Sequence, residues 1–124
     1  MKTPRQSLGR WGEELAARHL IGQGYTILDR NVRTPYGEID LVACHITRGC
    51  PATVFVEVKT RASASLGQPE ISVTPRKQTH LLNAAQHYRQ THPELEGDWR
   101  VDVIAIRRYP DRPPEIAHFE NVLT

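Results

Sequence analysis

Apolar positions recur along the chain at two periods, and the switches between them outline its elements. From Ser7 to Gln23, Leu8, Trp11, Leu15, Ala16, His19 and Leu20 fall on one side of a 3.6-residue wheel, and Gly22 with Gly24 ends the run. This predicts an amphipathic helix with Glu14 and Arg18 as an i,i+4 pair on its wet side and Glu13 at the border of the buried stripe. Tyr25 to Arg33 reads as a strand, and Pro35-Tyr36-Gly37 as a turn. Two further strands lie within Gly37 to Arg61, followed by a Ser/Gly/Pro-containing loop between Ala62 and Val73. Thr74 and Pro75 are a natural N-cap and first residue for a helix reaching about Thr91, with Leu81, Ala84, Ala85 and Tyr88 inward and Lys77 on the same stripe. Val101 to Arg107 is nearly all apolar, as in a strand covered on both faces, and Phe119 to Leu123 is expected to add an edge strand. The order αβββαβ predicts an α/β fold in which helices flank a mixed central sheet, in one domain spanning residues 1–124.

The hairpin GEIDLVACHITRGCPATVFVEVKTR carries charges that its hydrophobic pattern does not need. Alternation places Glu38, Asp40 and Val42 on one face and Ile39, Leu41 and Ala43 on the other. In the partner strand it separates Phe55, Glu57 and Lys59 from Val54, Val56 and Val58. A one-residue slip would set apolar faces beside charged ones, so Asp40 and Glu57 are expected on one face. A loop centred near Arg48-Gly49 sets Asp40 opposite Glu57 and Glu38 opposite Lys59, with Cys44 to Thr53 read as the loop region. Opposed carboxylates destabilise a strand pair, by about 4 kcal/mol at ~4 Å and a surface-like dielectric. Lys59 offsets part of this; a divalent cation such as Mg²⁺, which takes one or two carboxylates plus water, offsets more. The competing reading is a solvated ladder pairing Glu38 with Lys59, Asp40 with Arg61 and Glu57 with any nearby base, which contributes little.

Composition narrows the classes. At 39% apolar and 24% charged the chain is ordinary for a globular protein, and no stretch approaches the ~18 apolar residues of a membrane span. The N-terminal stretch lacks the apolar core of a secretory signal, so the expectation is a cytoplasmic protein with no membrane partner. Cys44, His45 and Cys50 match no zinc spacing and read as ordinary residues beside a loop. A net charge of +2 permits a nucleic-acid partner without arguing for one.

GRWGEELAARHL, GYTILDRNVR, GEIDLV, VFVEVKTR, SVTPRKQTHLLNAAQHY and RVDVIAI, in this order, resemble the uncharacterised YraN-like (UPF0102-type) family. That resemblance implies the restriction-endonuclease-like fold of the PD-(D/E)XK nucleases, related to archaeal Holliday-junction resolvases, whose core is αβββαβ. Asp40 resembles the motif aspartate and Glu57-Val58-Lys59 the E-X-K, while Ile39 stands where the named motif has proline. The resemblance implies metal binding by Asp40, Glu57, the Val58 carbonyl and Glu13, with Mg²⁺ or Mn²⁺ as cofactor and Lys59 assisting the attacking water or stabilising developing charge. Lys77 would touch DNA or support the site; Arg33 and Arg61, with Arg30, Arg48 and Arg76, are candidate phosphate contacts. Glu38 reads as a structural partner of Lys59, and Asp102 as the partner of a nearby arginine. The implied activity is metal-dependent hydrolysis of phosphodiester bonds in DNA, branched or single-stranded. The alternative is a non-catalytic nucleic-acid-binding module of the same fold. Either is compatible with a homodimer.

Overall fold

The computed structural model describes residues 3–62 and 74–123. Helix α1 spans Pro4–Gly22 and begins earlier than the apolar stripe suggests. Its start is set by a capping box: the Thr3 hydroxyl accepts from the Gln6 amide at 3.1 Å, and the Gln6 side chain accepts from the Thr3 amide at 2.9 Å. Strands β1 (Thr26–Thr34), β2 (Gly37–Thr47) and β3 (Cys50–Ala62) follow, then α2 (Pro75–Thr91), a 3-10 turn at Pro93–Leu95, β4 (Asp98–Arg108) and β5 (Glu115–Phe119). Thr74 caps α2 as expected. The loop expected up to Val73 lies, beyond Ala62, outside the described residues.

The five strands form one sheet in chain order, antiparallel throughout except for the parallel β3–β4 pair. The α2 crossover makes that parallel pair possible, because two parallel strands cannot be joined by a tight turn. Helix α1 covers one face, packing Ala16, Ala17 and Leu20 against Leu41, Ala43, Val54, Val56, Ile104 and Ile106. Helix α2 covers the other, packing Leu81, Ala84, Ala85 and Tyr88 against Ile39, Val42, Phe55 and Val101. Phe55 anchors that second core, edge-on to Tyr88 at 5.8 Å and Trp99 at 6.0 Å. The α1 face is tight at Gly12, where a Cβ would lie 2.0 Å from Thr60 Oγ1. No helix of the described residues is long and apolar enough to cross a membrane.

Three expectations change. Cys44 to Thr53 is not a loop: β2 and β3 pair to Thr47 and Cys50, and only Arg48 (φ 51°) and Gly49 (φ 82°) turn the chain. Positive φ at both central residues is the two-residue hairpin geometry that matches strand twist. The edge strand is Glu115–Phe119, not Phe119–Leu123, because Val103 to Arg107 of β4 pair with those earlier residues. Ile39 does not share a face with Leu41: it packs under α2 while Leu41 packs under α1. The strand rotates between them, at Asp40.

At the other end of the α1 face, fully buried Asp102 organises a polar network. It accepts from Arg100 at 3.0 Å, from His118 at 2.7 Å and from the Asn121 amide at 2.9 Å. Arg100 also donates to Thr47 and to the Tyr25 hydroxyl, both at 2.9 Å, so the network ties β2, β4 and β5 to the residue preceding β1. Burial alone would raise the Asp102 carboxyl, but the bonds from His118, Arg100 and the Asn121 amide hold it below its ordinary value.

Candidate functional site

The β2–β3 ladder runs from Thr47↔Cys50 to Leu41↔Val56, the register in which the next step would set Asp40 opposite Glu57. The backbone ladder stops there. Asp40 Oδ2 instead accepts from the Val58 amide at 2.8 Å, so a side chain takes the place of a strand-to-strand bond. On its other side, the β1–β2 ladder pairs Arg30 with Leu41 and Val32 with Ile39 but omits Asn31 with Asp40. Asn31 sits at φ 51°, the left-handed region that asparagine tolerates better than most residues. Asp40 thus occupies a local opening of the sheet, which re-aims its carboxylate and separates Ile39 from Leu41.

Four acids surround this opening. Burial lifts the Asp40 carboxyl to about 7; the Val58 amide opposes the rise, and the charges of Glu13, Glu57 and Glu38 add to it. Glu13 of α1 is also raised, by burial first and then by Glu38, against the lowering pull of Arg10 and the Asn31 side chain. Glu57 is 8% exposed and pairs through Oε1 with Lys77 of α2. Its second oxygen, Oε2, is buried and has no hydrogen-bond partner among the described residues. Among those residues no three His, Cys, Asp or Glu side chains converge into a closed metal cage. The acids lie near enough to perturb Asp40 but do not form a rigid ligand set.

Of the three pairs in the competing salt-bridge ladder one forms, Glu57 with a nearby base. Among the described residues neither Glu38–Lys59 nor Asp40–Arg61 forms an ion pair; Lys77, from the opposite helix, reaches Glu57. Glu38 is exposed and, with Glu13, lines a groove of about 430 Å³ whose basic members are Arg10 and Arg33. Lys59 is half-buried, on the same strand as Glu57 and two residues beyond it. Arg61 is exposed toward the end of β3. Arg30 is engaged by Glu14 at 2.7 Å, and Glu14 also holds Arg18 at 3.3 Å. Arg48, in the hairpin turn, is eight residues from Asp40, on the order of 25 Å along an extended strand. It is therefore not beside the acids. Cys44 and Cys50 are both free.

Sequence reasoning did not find Arg10 or Asn31, and it set Lys77 on the inward stripe of α2 without naming Glu57 as its partner. Arg10 lies one turn before Glu13, a spacing that could have marked it as a neighbour of the acids. Asn31 carries no signal beyond its tolerance of positive φ. The Lys77–Glu57 pair joins elements twenty residues apart in sequence, and nothing local announces it.

A model of the family described as Uncharacterised protein family UPF0102 matches residues 12–106, a span that contains Glu13, Asp40, Glu57, Lys59 and Lys77. The UPF0102 protein of Syntrophotalea carbinolica is 48% identical over 119 residues, covering 96% of this chain and 93% of its own. That of Clavibacter michiganensis subsp. michiganensis is 48% identical over 104 residues, with 84% and 85% covered. That of Geotalea uraniireducens is 38% identical over 120 residues, with 97% and 91% covered. On the family match and these near-full-length relatives, the chain belongs to the UPF0102 family.

Proposed function

We propose that this protein is a divalent-metal-dependent nuclease of the PD-(D/E)XK type, acting on DNA that is branched or single-stranded. The observation that carries the reading is a buried Glu57 Oε2, without a hydrogen-bond partner among the described residues, near Asp40, whose carboxyl is lifted to about 7 by burial and neighbouring acids. Leaving a charged oxygen buried and unsatisfied costs about 1–3 kcal/mol or more, and such groups cluster where function requires them. A hard cation relieves both groups at once.

The donor set fits Mg²⁺ or Mn²⁺. Both are served by one or two carboxylates with water completing the shell, so a closed cage of three side chains is not needed. Asp40 and Glu57 would hold the ion, with the Val58 carbonyl and Glu13 as further oxygen donors. The ion would supply Lewis acidity at the phosphate and a lowered pKa for bound water. Asp40 is fixed by the Val58 amide and Glu57 by Lys77, so neither carboxylate has to search for its orientation. Lys59 carries no ion-pair partner among the described residues and is therefore available to orient water or to meet charge growing on the phosphate. Arg33 and Arg61 would contact the backbone phosphates, which positions a nucleic acid without reading its sequence.

The test is incubation with duplex, single-stranded and four-way-junction DNA in Mg²⁺ or Mn²⁺, beside Asp40→Ala and Lys59→Ala. Metal-dependent cleavage lost in both variants supports the reading. Binding without cleavage under every condition would replace it with the non-catalytic module.

A further inference from the structure

The two oxygens of Glu57 are in unlike situations. Oε1 is taken by the Lys77 ammonium, while Oε2 is buried and has no partner among the described residues. A carboxylate with both oxygens free can turn about its terminal bond and present either one. With Oε1 engaged, Oε2 is the oxygen left for a further partner.

Lys77 is well placed to impose that choice. It lies in the first turn of α2, where its own amide donates to the Thr74 hydroxyl at 3.2 Å, so the helix cap fixes its backbone. Its side chain is 51% exposed and reaches inward to a carboxylate that is 9% exposed. Lys59 does not do this work. It follows Glu57 by two residues on β3, and no ion pair joins it to Glu57 or to any other acid among the described residues.

We propose that Lys77 is the positioning residue for Glu57, holding Oε1 so that Oε2 is presented to a divalent cation, and that this division of labour leaves Lys59 uncommitted for the phosphate or the attacking water. The inference rests on the metal-site reading above. Partners that hold a ligand carboxylate from outside the metal's own shell orient it, and losing one weakens metal binding by roughly 10–100-fold.

The experiment is a Mn²⁺ titration of the full chain without DNA, following the free-ion signal by electron paramagnetic resonance. Wild type, Lys77→Met, Lys77→Arg and Lys59→Met are compared, with circular dichroism to establish folding. Lys77→Met should weaken Mn²⁺ binding about tenfold or more. Lys77→Arg should recover most of it, and Lys59→Met, which removes a cation that holds no acid among the described residues, should not weaken it. If Lys77→Met does not fold, Lys77→Gln provides the same comparison. Wild-type affinity, or tighter binding, in the variant lacking the ammonium overturns the positioning role while the metal site stands. Equal weakening by Lys59→Met overturns the division of labour. No binding by the wild type overturns both this inference and the metal reading beneath it.

Discussion

Asp40 sits where the fold would be more stable without its charge. Its carboxyl has a pKa of about 7 in the folded chain against an ordinary 3.8. At about 1.4 kcal/mol per pKa unit, keeping it ionised costs the fold up to about 4 kcal/mol at pH 8. The direction follows from proton binding: the folded state holds this proton more tightly than the unfolded state. The cost is therefore absent below pH 3.8, grows as pH rises, and levels off above about 7. Asp40→Asn removes the charge and keeps an oxygen to accept from the Val58 amide. In urea denaturation with EDTA, the variant should exceed the wild type by about 2–4 kcal/mol at pH 8, a midpoint shift of about 1–3 M. The gap should close toward pH 4. Saturating Mn²⁺ should narrow it at pH 8, because only the wild type gains binding free energy. A variant less stable than wild type at pH 8, or a gap that does not change with pH, would refute the electrostatic account of Asp40.

Three further outcomes are expected. Gly12→Ala places a Cβ 2.0 Å from Thr60 Oγ1 and should cost about 1–3 kcal/mol in chemical denaturation, partly recovered by adding Thr60→Ala. Asp102→Asn leaves the Arg100 and His118 partners uncompensated and should cost about 3–5 kcal/mol at pH 7. Since the Asp102 carboxyl is held below its ordinary value, that loss should shrink as pH falls below 3.8, which denaturation at pH 3 and pH 7 would measure. Arg33→Ala and Arg61→Ala should each lower DNA affinity evenly across sequences and reduce the salt slope by about one, as read by fluorescence anisotropy; an unchanged slope would remove that residue from the interface.

Much of this architecture was legible because burial writes a period into the chain. Leu81, Ala84, Ala85 and Tyr88 recur as a helix must, and all four are buried. The β2–β3 register was legible as far as Leu41↔Val56 for a related reason: a one-residue slip would carry Val54 and Val56, now fully buried under α1, to the other face. Cys44 to Thr53 misled because His45, Thr47, Cys50 and Pro51 give no strong alternation, and cross-strand pairing alone makes them strand. Ile39 misled because alternation assumes an even pleat, whereas the sheet opens at Asp40 and turns the chain there.

What the sequence determined by itself is the order of the elements, the two buried faces and the acids carried on the β2–β3 hairpin, since these follow from local periodicity and the cost of exposing apolar side chains. Which groups hold those acids was decided only by tertiary structure. The Val58 amide takes Asp40, Lys77 takes Glu57 across the sheet-to-helix gap, and Lys59 is left unpaired among the described residues. Charge pairing depends on distance in space: the ammonium of Lys77, twenty residues away in sequence, lies within ion-pair reach of Glu57, and that of Lys59, two residues away, does not.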